Sequence, residues 1–76
     1  MNVKQLIEEL QKHNPDDFVV VNGYEGGLSE AKTLQKMVIA LDVHDKWYYG
    51  AHEEIFDEYD KEQYAQKTQT EAICLH

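Results

Sequence analysis

The run Trp47-Tyr48-Tyr49-Gly50-Ala51-His52-Glu53-Glu54 gathers the side chains of this chain best suited to holding a small molecule. Indole and phenol rings present flat apolar faces with a polar tip. A glycine among them lets the backbone come close to a guest, and histidine donates or accepts a hydrogen bond near neutral pH. Gly23-Tyr24-Glu25-Gly26-Gly27 repeats the theme on a smaller scale. A glycine-rich turn can aim successive N–H groups at an anion. It can also be a plain turn whose glycines satisfy positive φ. The motif has neither the spacing nor the lysine of a P-loop, so it does not imply nucleotide hydrolysis. Both runs fall on expected loops, where recognition residues concentrate. The candidate ligand-binding residues are therefore Tyr24, Glu25, Gly26, Gly27, Trp47, Tyr48, Tyr49, Gly50, His52 and Glu53. If the aromatic run follows strand alternation, one of its rings points inward and at least one is left for a ligand or a partner.

The elements that must hold these loops can be read from periodicity. Val3, Leu6, Ile7 and Leu10 fall at i, i+3, i+4 and i+7, the stripe of one amphipathic helix. Asn2 is suited to cap it, and Asn14-Pro15-Asp16-Asp17 to stop it. Phe18-Val19-Val20-Val21 predicts a short strand. A second strand is expected at about Thr33 to Val43 around Met37-Val38-Ile39-Ala40-Leu41. Being apolar on both faces, it is either central in its sheet or buried on one face in a subunit interface. The last strand is expected from Glu71 to Leu75, with Cys74 a buried thiol. The expected fold is α+β: one domain spanning 1–76, with the N-terminal helix packed on a small, mainly antiparallel three-stranded sheet.

Two connections exceed what that scaffold needs, Asn22 to Lys32 and His44 to Thr70. In the longer one, His52, Ile55, Phe56, Tyr59 and Gln63 fall at helical spacing and predict a short helix from about His52 to Tyr64, within an acidic insertion before the last strand.

Charge and composition exclude several functions. The net charge is −8 and every basic side chain is a lysine. Nucleic-acid binding needs a basic face that releases counterions, so no nucleic-acid partner is expected. The single cysteine rules out an internal disulfide and a polycysteine metal site. His52 and Glu53 are adjacent and would not share a helix face, so no metal is expected there. No apolar run approaches membrane-spanning length and the N-terminus does not read as a signal peptide, so a cytoplasmic protein without a membrane partner is expected. The one serine, Ser29, has no histidine near it in sequence, and no carboxylate pair stands out as split in environment. An enzyme and a bound cofactor are therefore not expected. A domain this small buries only about 60% of its unfolded surface, and oligomerisation is a common support for such marginal cores.

The Val3-to-Leu10 opening, the Pro15-Asp16 stop and the valine strand, joined to Gly23-Tyr24-Glu25-Gly26-Gly27 and Trp47-Tyr48-Tyr49-Gly50-Ala51-His52-Glu53, resemble short phage and prophage proteins. Some of these act as sponges that sequester nucleotide-derived immune signals, such as the ADP-ribose-based messengers of Thoeris anti-phage defence. The resemblance implies a homodimer in the host cytoplasm that binds a small nucleotide-like ligand without cleaving it. Tyr24, Gly26 and Gly27 would line the pocket with Trp47, Tyr48, Tyr49 and His52. The stretch Ile55 to Gln69 has no counterpart in that likeness. The acidic run Glu53 to Glu62, interleaved with Ile55, Phe56 and Tyr59, carries the rival reading of a phosphate-mimicking inhibitor docked on a basic groove of a partner protein.

Overall fold

A computed structural model describes every residue from Met1 to His76, with the order helix, two strands, strand, strand, helix, strand. The fold class is α+β, as the sequence predicts: an N-terminal helix, a second short helix and a three-stranded antiparallel sheet. Two compact units divide the chain, 1–31 and 32–76.

In the first unit, α1 spans Val3–Leu10. Asn2 is extended and its Oδ1 accepts from Gln5 N–H at 2.8 Å, while Gln5 Oε1 accepts from Asn2 N–H at 2.8 Å. This reciprocal box satisfies two of the donors a helix start leaves unpaired. Beyond the helix Asn14 Oδ1 accepts from Asp16 N–H at 2.8 Å, closing the turn that carries Pro15. The valine strand starts later than expected. Phe18 and Val19 precede it, and β1 is Val20–Asn22. It pairs antiparallel with β2, Leu28–Glu30, a strand the sequence reading placed inside a long loop. Asn22 closes β1 and Leu28–Glu30 form β2, so the loop between the strands is the five-residue Gly23–Gly27. β1 joins this separate hairpin rather than the three-stranded sheet.

In the second unit, β3 (Leu34–Ala40) is central, with β4 (Glu53–Ile55) on one side and β5 (Gln69–Leu75) on the other. Leu34 opposes Leu75 and Ala40 opposes Gln69, with no break in register between them. Across the other edge Val38 opposes Ile55 and Ala40 opposes Glu53. One face therefore carries Leu34, Val38, Ile55, Ile73 and Leu75, and the other Met37, Ile39, Ala72 and Cys74. Ala40 is the one fully buried residue, and Cys74 is only partly buried, against expectation.

The helix expected from His52 to Tyr64 is shorter. Glu53–Ile55 pairs with β3 instead, and α2 spans only Glu58–Gln63. Asp57 starts α2 by accepting from Asp60 N–H at 3.0 Å, and Asp60 Oδ2 accepts from Phe56 N–H at 3.0 Å. Gln69 Nε2 ties the helix end to the sheet through the carbonyls of Lys61 and Tyr64, at 3.0 and 3.1 Å. No helix is long and apolar enough to cross a membrane.

Candidate functional site

The aromatic run lies in the connection from β3 to β4, residues 41–52, whose two ends leave neighbouring antiparallel strands. A neck of backbone bonds closes it. Val43 N–H and His44 N–H both donate to Ala51 O, at 2.7 and 3.0 Å. Below them Asp42 N–H donates to His52 Nδ1 at 3.0 Å. An acceptor Nδ1 carries no proton, so the His52 proton is on Nε2. Asp42 holds φ at 56°, the left-handed region that aspartate tolerates better than most residues. Its carbonyl also accepts from Lys67 Nζ at 3.0 Å, which fastens the loop base to the segment before β5.

Above the neck, Tyr49 N–H donates to Lys46 O at 3.1 Å and closes a turn with Trp47 and Tyr48 at its two central positions. No strand alternation operates there, and the expected inward-pointing ring does not occur. Trp47 is 93% exposed, Tyr48 62% and Tyr49 59%. The rings contact one another in sequence order. Trp47 meets Tyr48 edge-on at 5.5 Å between centroids, and Tyr48 tilts against Tyr49 at 5.1 Å. Tyr49 stacks on the His44 ring at 5.2 Å. His44 in turn is fixed by Glu53, with Nε2 and Oε2 2.7 Å apart. A carboxylate only accepts, so Nε2 is the donor. The result is a ladder of four rings anchored at one end to β4 and open to solvent at the other.

Of the expected residues, Trp47, Tyr48, Tyr49, Gly50, His52 and Glu53 share this loop and its base. Glu53 supports His44, and His52 fastens the neck while keeping its Nε2–H. His44 is the residue missed in sequence. It stands nine positions from Glu53, and only closure of the loop joins them. Lys46 is the loop's cation and forms no ion pair. No three His, Cys, Asp or Glu side chains are grouped to hold a metal ion.

Tyr24, Glu25, Gly26 and Gly27 form the β1–β2 turn in the first unit. Gly26 and Gly27 have φ of 141° and 66°, and Gly23 N–H donates to Gly27 O at 3.0 Å. Hairpin geometry accounts for these glycines by itself. Tyr24 is 100% exposed. The apolar groove of that unit, between Ile7, Leu10, Phe18 and Val19, holds none of the expected site residues.

Comparison with known proteins found no matching family model, no matching curated protein and no matching solved structure.

Proposed function

We propose that this chain is a non-catalytic binding protein whose 41–52 loop holds a planar, nucleotide-like heterocycle. The supporting observation is the exposed ring ladder, ordered from behind by His44 and Glu53. Preordered rings lose little rotamer freedom when a guest stacks on them. Stacking of one base on an aromatic side chain contributes about 1–3 kcal/mol and needs no arginine. Lys46 and the Nε2–H of His52 are the loop's donors for phosphate or ribose oxygens. ADP-ribose-derived signals belong to the ligand class through the likeness to phage sponge proteins.

Calorimetry and native mass spectrometry with adenosine, AMP, ADP-ribose and cyclic ADP-ribose test the reading. It expects one ligand per chain, recovered at unchanged mass. A recovered ligand of altered mass would indicate a small hydrolase, and no binding across the panel would refute the proposal.

One observation favours a second reading, the acidic inhibitor. Phe56 and Tyr59 stand largely exposed among Asp57, Glu58 and Glu62, a ring-and-carboxylate surface suited to a basic groove on a protein. Lysine at Glu58 and Glu62 would abolish that docking and leave heterocycle binding unchanged.

A further inference from the structure

The two edges of the three-stranded sheet are built differently. β4 is three residues long and two of them are glutamates. Short, charged strands are how proteins keep an edge unpaired. β5 is seven residues long, has Glu71 as its one charged side chain, and contains no proline or lysine. Its register against β3 runs without a bulge, and no strand lies on its other side.

Which groups of β5 face outward follows from the ladder. Thr33 and His76 exchange both backbone bonds, at 2.7 and 3.0 Å, and Leu41 N–H donates to Thr68 O at 2.8 Å. Antiparallel pairs alternate, so Cys74, Ala72 and Thr70 bond to β3, while Leu75, Ile73, Glu71 and Gln69 direct N–H and C=O away from it. Four donors and four acceptors thus stand in a straight row. An unpaired row of this kind is a template for another strand.

We propose that the occupant is β5 of a second copy, paired antiparallel about a twofold axis at Ala72, which joins two sheets into one of six strands. The register follows from what each alternative would oppose. Centring at Ala72 sets Gln69 against the partner's Leu75 and Glu71 against the partner's Ile73, so every outward donor and acceptor is satisfied. Thr70 then faces the partner's Cys74, and Ala72 faces itself at a closely spaced position where a small side chain fits. Centring at Glu71 would oppose two carboxylates, which is unfavourable. Centring at Ile73 would set Gln69 beyond the partner's β5, which as a strand ends at Leu75. In the chosen register each Glu71 keeps its own countercharge, Lys36 Nζ at 3.3 Å. Leu34, Ile73 and Leu75, all at least partly exposed on one face, continue across the seam.

Amide hydrogen exchange on the wild-type protein, read residue by residue across a dilution series, tests this. A free β5 edge protects Thr70, Ala72 and Cys74 and leaves Glu71 and Ile73 exchanging rapidly. The proposal expects all five protected at high concentration, with Glu71 and Ile73 losing protection on dilution as native mass spectrometry shows dimer giving way to monomer. Ile73→Pro removes an outward N–H without touching a β3–β5 bond, so it should yield a folded monomer. Ala72→Cys in a Cys74→Ala background should cross-link copies under mild oxidation. Alternating protection at every concentration, or a dimer unaffected by Ile73→Pro, overturns the proposal.

Discussion

Trp47→Ala separates a ring kept for a guest from a ring kept for folding. Trp47 is 93% exposed, so the native fold hides under a tenth of its surface. That is about 20 Å² of a side chain of about 250 Å², or about 0.5 kcal/mol at ~25 cal/mol per Å². The edge-on contact with Tyr48 at 5.5 Å is solvent-exposed and adds little. Urea denaturation should therefore show a loss below about 1 kcal/mol, less than about 8 °C in Tm for a domain this small. Ligand binding should fall by the stacking contribution, about 1–3 kcal/mol or about 5- to 150-fold in Kd by calorimetry. Tyr49→Ala is the counterpart. At 59% exposure it hides about 80 Å², so its removal should cost about 2 kcal/mol and release His44 as well. A Trp47→Ala protein destabilised by more than about 2 kcal/mol, or one that binds with full affinity, would refute the division of labour along the ladder.

Three further outcomes test the local geometry. Asn2→Ala removes the side-chain acceptor of Gln5 N–H in the α1 capping box, leaving the bond from its own backbone N–H to Gln5 Oε1, and should cost about 1 kcal/mol, seen as lost helical amplitude in far-UV circular dichroism. Gly23→Ala places a Cβ against the Gly26 carbonyl oxygen, so the β1–β2 hairpin should lose about 1–3 kcal/mol, read from amide exchange at Val21 and Ser29. Asp42→Gly relieves the left-handed φ of 56° and should raise the unfolding free energy read from urea denaturation slightly, by no more than about 1 kcal/mol. Asp42→Val at the same position should lower it.

The elements legible in the sequence are those whose signal is local. α1 shows its stripe and its cap within the span Asn2 to Leu10, and the structure keeps both. The apolar centre of β3 reads as a central strand, and β3 does lie between β4 and β5, although Val38 on one face stays 40% exposed. β2 has no such signal. Leu28-Ser29-Glu30 carries no β-branched residue, and pairing with β1 rather than propensity makes it a strand. Glu53-Glu54-Ile55 has a helical continuation, and the helix does form from Glu58 onward. Hydrogen bonding to Val38–Ala40 wins over it for the first three residues.

The same division runs through the candidate site. Composition by itself determined that rings, a glycine and a histidine are concentrated between residues 47 and 53, and that the chain offers no arginine to a phosphate. Only the tertiary structure decided how the rings stand. A turn closed from Tyr49 to Lys46 replaces the alternation a strand would impose, so all three rings face solvent in sequence order. His44 reaches Glu53 because β3 and β4 pair and bring the loop ends together. That contact is non-local, so no window of residue types contains it.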